Sequence, residues 1–407
     1  MKESKVMAAK QVLKGRAGAA LAIGFVLAVA LWGCERGTGL VKGNWNPEVW
    51  EELNLLFREE GKQGEKYNPA CRPYAVFDYD NTTVINDIAQ TLLVYQIENR
   101  AFKISPERFF DVITEGIPEL GQDYGKGYTV EEMARELSRD YSVLCSFGDD
   151  LEGMRKTDEY LDFRAKLWYF SASTMSLGPE GGVFGCIWIA CLLDGMTPDE
   201  VASLTRASVD HWLSLKTMWR EEWTSPDGRV TVRIPKGLGL TKEMKNLYKA
   251  LRDNGFDIYI CSASPEWVVE AMASDPRYGI GLDTASVFGI RFLPYADGTL
   301  HAVGAPGYAQ PYREGKTECI RRYIAPRHEG RSPSLVAGDS SGDYSMLTSF
   351  EDCRIGLIIN CLPSGRIASL MDSTAVIGTR YLVQGRDPTA LVFLPGRESR
   401  KVSLRGK

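Results

Sequence analysis

The chain has 407 residues, of which 44% are hydrophobic and 25% are charged. This composition is typical of a folded globular protein with a sizeable core. The formal net charge of −5 at pH 7 gives no indication of a nucleic-acid surface, so we exclude nucleic acid as a partner.

The N-terminal segment has the layout of a secretory signal peptide, which we place at residues 1–33. Residues 1–16 carry five basic residues against one acidic residue, and residues 17–31 are apolar and uncharged. The sequence Leu-Trp-Gly-Cys at residues 31–34 resembles the lipobox of bacterial lipoproteins, except that tryptophan stands where a small residue is usual. We therefore expect an exported protein, lipid-anchored through Cys34 to the bacterial cell envelope and facing the periplasm. An uncleaved membrane anchor and secretion without a lipid are the alternatives.

Residues 34–70 are predicted to form a tether and one helix. The glycine-containing residues 35–45 favour a tether. Asn46 and Pro47 then mark the start of a helix, because asparagine is a good N-cap and proline fits the first helical position.

The most informative segment runs from Tyr74 to Thr82. Its apolar beginning predicts a buried strand, which stops at Asp78 and Asp80. Side chains at the carboxyl end of a parallel strand face the crevice where α/β proteins bind ligands, and residues two apart point to the same side. One carboxylate of such a pair can attack phosphorus while the other transfers protons, and a divalent cation can hold both charges together. A polar turn without function is the alternative for this pattern alone.

The interval between this strand and the next motif, residues 87–235, is too long for a loop in a compact domain. Helical patterns occur within it, and Thr197 is predicted to cap one helix with Pro198 as its first residue. We interpret the interval as a mostly helical cap domain, which closes over a polar crevice, excludes water and selects the substrate.

Three later segments place polar residues where they can reach the same crevice. An apolar run ends at Ser262, whose hydroxyl can donate to a phosphoryl oxygen. Lys316 lies at the start of a predicted helix, where its charge can neutralise a phosphoryl group. Another apolar run ends at Gly338 and leads into Asp339, with Asp343 one helical turn later, and such hard oxygen ligands suit Mg²⁺. Taken singly, each segment is also explained by a turn, a helix cap or a solvated lysine.

Together, the four segments resemble the motifs of the haloacid dehalogenase superfamily of hydrolases. The resemblance implies an α/β fold, with a Rossmann-like parallel sheet as the core and an inserted, mostly helical cap domain. We place the catalytic core at residues 71–86 and 236–390 and the cap at residues 87–235. A basic tail at residues 391–407 is expected to loosen from the fold.

The same resemblance implies a phosphatase and assigns roles to individual residues. Asp78 matches the nucleophile and Asp80 the general acid and base. Ser262 and Lys316 match the residues that bind the phosphate. The proton donor at Asp80 suits a leaving alkoxide, and Thr82 is the residue type found in the phosphatase version of the motif.

The resemblance also implies Mg²⁺ as the cofactor. Asp339 matches a metal ligand, joined by the carboxylate of Asp78 and the main-chain carbonyl of Asp80. Asp343 matches the acidic residue that supports either the metal or Lys316.

Residues 253–263 and 268–279 are similar to secreted bacterial phosphorylcholine phosphatases. This narrower resemblance implies phosphocholine as the small phosphorylated metabolite on which the enzyme acts. Aromatic faces bind quaternary ammonium groups, so a tryptophan of the cap is a candidate contact for choline, with ordinary packing as the alternative. The tryptophans of the predicted cap are Trp168, Trp188, Trp212, Trp219 and Trp223.

Two other functions stay open. One is a phosphatase for another small metabolite, such as a phosphoamino acid or a sugar phosphate. The other is an envelope lipoprotein without catalytic activity that only binds a ligand or partner. The intact set of Asp78, Asp80, Lys316 and Asp339 argues against the second alternative, because a binding module has no use for both catalytic acids.

Overall fold

The computed structural model of the chain describes residues 39–177, 182–373 and 379–405. The predicted signal peptide at residues 1–33 and the predicted lipidation site, Cys34, lie outside the described residues. Within the described ranges, no helix combines the length and the apolar character needed to cross a membrane.

Helices predominate between residues 88 and 214, whereas strands and helices mostly alternate after residue 231. The strands are β1 (Tyr74–Phe77), β2 (Asp123–Gly125), β3 (Tyr128–Thr129), β4 (Trp219–Thr224), β5 (Thr231–Lys236), β6 (Asp257–Pro265), β7 (Val287–Ile290), β8 (Phe292–Pro294), β9 (Leu300–Gly304), β10 (Leu335–Gly338), β11 (Ile355–Ile359), β12 (Tyr381–Gln384), β13 (Arg386–Asp387) and β14 (Val392–Phe393). The α-helices are α1 (Pro47–Glu60), α2 (Ile88–Asn99), α3 (Phe109–Thr114), α4 (Val130–Cys145), α5 (Leu151–Met154), α6 (Asp158–Thr174), α7 (Gly182–Trp188), α8 (Pro198–Ser214), α9 (Lys242–Asp253), α10 (Glu266–Ala273), α11 (Glu314–Cys319), α12 (Tyr344–Thr348) and α13 (Arg366–Ser373).

The centre of the fold is a six-stranded parallel sheet with the strand order β12–β11–β10–β1–β6–β7. The predicted α/β fold with a Rossmann-like parallel sheet is thus confirmed. Strand β1 lies between β6 and β10, the two strands whose ends carry later motifs. Because the strands are parallel, their carboxyl ends meet at one edge of the sheet, which is where such folds bind ligands.

Both faces of the sheet are covered, as the continuous apolar sequence of β1 requires. Ala75 and Phe77 belong to the larger hydrophobic core on one face, whereas Tyr74 and Val76 belong to a second core on the other face. Successive side chains of a strand point to opposite faces, so four buried residues in a row serve two cores. This packing fixes the position at which Asp78 leaves the strand.

The interval from residue 87 to residue 235 contains helices α2 to α8 and two antiparallel hairpins, β2–β3 and β4–β5. Thr197 caps α8 as predicted: its side chain accepts from the N–H of Glu200, and Pro198 is the first helical residue. The β4–β5 hairpin was not predicted from the sequence. The separation of this interval from the core as a cap domain stays a prediction.

Helix α1 begins as predicted, with Asn46 as its cap and Pro47 as its first residue. Asn46 also contacts the edge strand of the sheet: its N–H donates to the side-chain carbonyl of Gln384 (2.7 Å), and its Nδ2 donates to the carbonyl of Val383 (2.9 Å). Trp45 packs edge-on against Phe393, with ring centroids 5.2 Å apart. These contacts hold the start of α1 against β12.

The expected loosening of the basic tail is not observed in its described residues. Strand β14 pairs with β13, and the backbone of Arg220 in β4 accepts from Arg405 N–H (2.9 Å) and donates to the carbonyl of Ser403 (2.8 Å). The tail therefore extends the β4–β5 hairpin. Its composition gave no sign of this pairing, because the partner lies far away in the sequence.

Candidate active site

Asp78 directly follows β1, and its N–H donates to the carbonyl of Ala337 in β10 at 2.9 Å. Its carboxylate Oδ1 accepts from Lys316 Nζ at 2.6 Å, and the same Nζ donates to Oδ1 of Asp343 at 2.6 Å. Lys316 is only 3% exposed and Asp343 is fully buried. The structure therefore brings three of the predicted site residues into one buried ion-pair network.

The turn after β10 depends on glycine. A Cβ atom added at Gly338 would lie 2.4 Å from the Cβ of Asp343, which is too close for any side chain. The space lets the second oxygen of Asp343, Oδ2, accept from the N–H groups of Asp339 (2.9 Å) and Ser340 (3.0 Å). Asp343 thus positions both Lys316 and the turn that carries Asp339.

The carboxylates of Asp78 and Asp339 face one another across the hydroxyl of Thr82. Thr82 Oγ1 lies 3.2 Å from Asp78 Oδ2 and 3.1 Å from Asp339 Oδ1. A hydroxyl has one hydrogen, so it donates to one of these oxygens at a time. Two buried carboxylates that share one hydroxyl donor keep further lone pairs for other partners. Such oxygens are suitable ligands for a hard cation.

Carboxylate atoms of Asp78, Asp339 and Asp343 all lie within 4.8 Å of one another. This buried set of hard oxygen donors fits Mg²⁺. Asp78 and Asp339 could hold the ion, whereas Asp343 is committed to Lys316 and the backbone. The carboxylate of Asp80 is not part of this set. The assignment of its main-chain carbonyl as a metal ligand stays a prediction.

The carboxylate of Asp80 turns toward β6 and the start of α2. Its Oδ2 accepts from Ser264 Oγ at 2.6 Å, and its Oδ1 accepts from Ile88 N–H at 2.7 Å. Ser262 lies 3.5 Å from the same oxygen, and its Oγ accepts from Ser264 N–H at 3.1 Å. Ser264 rather than Ser262 lines the open space beside Asp80.

The site lies at the bottom of a cavity of about 340 Å³, here called the central cavity. The charged residues of its lining are close to the carboxyl ends of the sheet strands in the chain or in space, and helices α6 and α7 of the interval 87–235 also contribute. The lining includes the charged residues Asp78, Asp80, Asp87, Lys316 and Asp339, together with Trp168, Ser171, Met175 and Cys186. The cavity therefore combines charged and apolar side chains.

Of the five tryptophans in the predicted cap, Trp168 lines the central cavity in the described structure. Trp188, Trp212 and Trp223 are buried core residues. The indole N–H groups of Trp188 and Trp212 donate to the carbonyls of Ile113 (2.7 Å) and Thr91 (3.0 Å). Packing in the core thus explains these three tryptophans, whereas Trp168 lies in the lining of the central cavity.

Burial dominates the electrostatics of the site. It raises the pKa of Asp80 well above its ordinary value, with the nearby Asp87 carboxylate adding to the shift. Burial and then Asp343 raise the pKa of Asp339 in the same way. Burial opposes the charge of Lys316, but Asp343 and Asp78 together raise its pKa well above the ordinary range, so the lysine stays protonated.

We expect the burial of Asp78 to make the free energy of unfolding depend on pH. Burial, followed by the Asp343 charge, raises the pKa of Asp78 from 3.8 to about 7. Between these values the folded metal-free protein holds a proton that the unfolded chain releases, so Asp78 destabilises the fold increasingly as pH rises. In EDTA, the free energy of unfolding of the wild type relative to Asp78→Asn should fall by a few kcal/mol from pH 4 to pH 7, at about 1.4 kcal/mol per pKa unit. Urea titrations over this pH range measure it, and a difference that rises with pH would contradict the assignment.

Some residues of the site were not identified from the sequence. Ser264 holds the Asp80 carboxylate, and Asp87 lines the cavity beside it. Arg386 donates to the main-chain and side-chain oxygens of Asn81 at 2.9 Å each, fixing the residue between Asp80 and Thr82. The positive φ of Asn81, 59°, marks a tight turn there. A second hydroxyl follows Ser262 by two residues, but nothing in the local sequence marks Ser264 as the one that holds Asp80. Arg386 carries no local signal either.

Comparison with known proteins agrees with this geometry. A family model described as haloacid dehalogenase-like hydrolase matches residues 208–348. The phosphorylcholine phosphatase of Pseudomonas aeruginosa is 23% identical over 341 residues, covering 78% of this chain and 80% of that protein. The crystal structure of a conserved protein of unknown function from Anaerococcus prevotii has a TM-score of 0.83 and 30% sequence identity, covering 90% of this chain and 100% of that one.

The matched segment of the family model contains Ser262, Lys316, Asp339 and Asp343, and Asp78 joins them at the end of β1. The fold, the buried site and the family model are consistent with one another. The chain contains a haloacid dehalogenase-like hydrolase domain, matched over residues 208–348.

Proposed function

We propose that the enzyme is a Mg²⁺-dependent phosphomonoesterase for a small phosphate ester, with phosphocholine as the best candidate. The observation that carries the proposal is the Asp78 carboxylate, buried at the end of β1, bonded to Lys316 and open to the central cavity. A carboxylate in this position is a nucleophile for phosphorus, and the neighbouring charges can stabilise a transferring phosphoryl group. The similarity to the phosphorylcholine phosphatase of Pseudomonas aeruginosa supports the substrate.

In the proposed first step, an oxygen of Asp78 attacks phosphorus in line, and the bond from phosphorus to the alcohol oxygen breaks. Asp80 gives its proton to the leaving alcohol. Burial raises the pKa of Asp80, which favours the protonated form that this task requires. Lys316 offsets the negative charge on the phosphoryl oxygens, and Ser264 and Ile88 N–H hold the Asp80 carboxyl in place.

In the second step, the deprotonated Asp80 takes a proton from a water molecule, which attacks the phosphorus of the aspartyl-phosphate. The bond from phosphorus to Asp78 breaks, releasing phosphate and restoring both aspartates. Mg²⁺, held by Asp78, Asp339 and the main-chain carbonyl of Asp80, would supply further neutralisation of the phosphoryl charge. The apolar side chains of Met175 and Trp168 line the same cavity and would reduce the access of bulk water to the phosphoryl group once the substrate is bound.

The test is phosphate release from phosphocholine by the purified protein, with Mg²⁺ or with EDTA. Phosphoserine and a sugar phosphate, assayed in parallel, decide the substrate through kcat/KM. Metal-dependent release that is highest for phosphocholine would support the whole proposal. Higher values for another ester would correct the substrate but keep the chemistry, and no release from any ester would contradict the proposal.

Trp168 is the proposed contact for the quaternary ammonium group. It is half-buried and lines the central cavity, and an indole face stabilises such a cation by about 0.5–2 kcal/mol. Trp168→Ala should therefore lower kcat/KM for phosphocholine up to about tenfold more than for ethyl phosphate, which lacks the cation. Trp219→Ala is the matched control, because Trp219 is also half-buried but does not line the central cavity. Equal losses on both substrates would argue against a cation contact at Trp168.

We also propose that the protein is exported and held to the envelope by acyl chains on Cys34. The support is the basic start of the sequence, the apolar residues 17–31 and the Leu-Trp-Gly-Cys sequence. Cells expressing the protein and grown with a fatty-acid analogue should label the wild type but not Cys34→Ala. Label that persists in the variant would contradict lipidation at this cysteine.

A further inference from the structure

A second concave region lies behind the central cavity, between the β4–β5 hairpin and the C-terminal segment. Its volume is about 570 Å³. We call it the basic cleft, defined by Arg220, Arg233, Arg386, Arg400 and Lys401 in its lining. In the described structure, neither aspartate nor glutamate lines it. A wall with five cations and no acid is unusual in a chain whose net charge is negative.

Only part of this charge is neutralised by ion pairs. Arg400 lies 2.8 Å from Asp387, and Arg233 lies 3.6 Å from Glu222. Arg220, Arg386 and Lys401 have no carboxylate within 4.0 Å in the part of the chain that the structure describes. Like charges that line one cleft repel one another, so a bound anion would stabilise their arrangement.

Arg386 places a buried positive charge in the lining of the basic cleft. It is only 6% exposed, whereas a cation without a counter-ion normally remains in water. A guanidinium has five N–H donors, and the hydrogen bonds of Arg386 to Asn81 use one on each Nη atom. Its Nε is buried without a hydrogen-bond partner among the described residues. The burial of this charge is therefore only partly compensated by the protein itself.

The basic cleft adjoins the proposed active site. Asn81 and Gln90 line both the basic cleft and the central cavity. Arg386 reaches from the cleft to Asn81, which lies between Asp80 and Thr82. An anion bound in the cleft would thus act on the arginine that fixes the turn between these two residues.

We propose that the basic cleft is a second anion site, which binds a phosphate group outside the central cavity. Arginine forks match the geometry of phosphate oxygens, and the exposed side chains of Arg220 and Lys401 are free to close on the ligand from the rim. The phosphate is either a free anion or the headgroup of an anionic lipid, and both present the same chemistry to the arginines. This proposal does not depend on the catalytic function proposed above.

Binding of inorganic phosphate to the full-length protein, measured by calorimetry in EDTA at low ionic strength, tests the proposal. The double variant Arg220→Ala/Lys401→Ala removes two rim cations that have no part in the proposed chemistry. Its control, Arg58→Ala/Lys242→Ala, removes one exposed arginine and one exposed lysine elsewhere. We expect the cleft variant to weaken phosphate binding about tenfold or to lose one class of site, because its two missing cations are exposed and their attraction to an anion is reduced by solvent screening. The control should bind like the wild type.

Sedimentation with vesicles distinguishes the two sources of the phosphate group. Vesicles of phosphatidylcholine mixed with phosphatidylglycerol offer an anionic headgroup, and vesicles of phosphatidylcholine alone do not. Loss of calorimetric binding in the cleft variant identifies a soluble anion as ligand, and loss of binding to the mixed vesicles alone identifies a lipid headgroup. If the cleft variant matches the wild type in both assays, the proposal is wrong. Because both readouts measure binding, failure of the catalytic proposal would not alter either result.

Discussion

Replacing Asp78 by asparagine is expected to abolish phosphate release, with kcat falling on the order of 10⁴-fold or more, as for other nucleophiles that work as a unit with their neighbours. The amide keeps the shape of the carboxyl group but is a poor nucleophile for phosphorus. Lys316 retains its 2.6 Å bond to Asp343, and one buried negative charge near Asp339 and Asp343 is removed. The variant should therefore fold at least as well as the wild type at neutral pH.

Single-turnover phosphate release and urea denaturation of the Asp78→Asn variant measure these two effects separately. Asp352→Asn is the matched control, because Asp352 is exposed and makes no ion pair among the described residues. It should change neither quantity. An Asp78→Asn enzyme that keeps substantial turnover while Mg²⁺ is present would rule out Asp78 as the nucleophile.

Lys316→Met is expected to cost both stability and activity. Methionine fills most of the space of the lysine stem but leaves the carboxylates of Asp78 and Asp343 without their shared cation. Removing one partner of a buried ion pair destabilises a protein by about 3–5 kcal/mol, because a charge stays buried without compensation. Urea denaturation in EDTA should show a loss of this size at neutral pH and a smaller loss at low pH, where Asp78 is protonated.

Lys166→Met separates the catalytic part of this effect from the structural part. Lys166 is also 3% exposed and bonded to two carboxylates, those of Glu136 and Asp162, but it lies away from the central cavity. Its partners are partly exposed, so they regain water when the lysine is lost, and the destabilisation should be smaller. Phosphate release should survive in Lys166→Met. Comparable activity in both lysine variants would contradict a role for Lys316 in the chemistry.

The position of the site was predictable because its signals are local. Asp78 and Asp339 each end a short apolar run, and any parallel sheet places such ends at one edge. The helix starts at Asn46 and Thr197 were predictable for the same reason, since a cap depends on a few neighbouring residues. Lys316 required the family pattern, because a lysine near a helix start is usually solvated.

Contacts between distant segments could not be predicted. Ser264 holds Asp80, a residue 184 positions away, and no periodicity distinguishes it from Ser262. Arg386 reaches Asn81 across 305 positions. The pairing of the basic tail with the β4–β5 hairpin was unpredictable for the same reason. The charged composition of the tail indicated an exposed, loose segment, but its backbone hydrogen bonds to the distant strand β4 hold it in the fold.

The contact between Asn46 and β12 bears on self-association. Strand β12 is hydrogen-bonded to one neighbour, β11, so the Val383 carbonyl that accepts from Asn46 lies on the open side of the sheet. Open strand edges are templates on which a second chain can add a strand. A chain shortened to begin at Cys71 would keep every proposed catalytic residue but lose this cover. It would also lose the buried apolar side chains that α1 contributes to the larger core. Such a truncation should therefore aggregate more readily than the unshortened chain, both through the open edge of β12 and through the uncovered core.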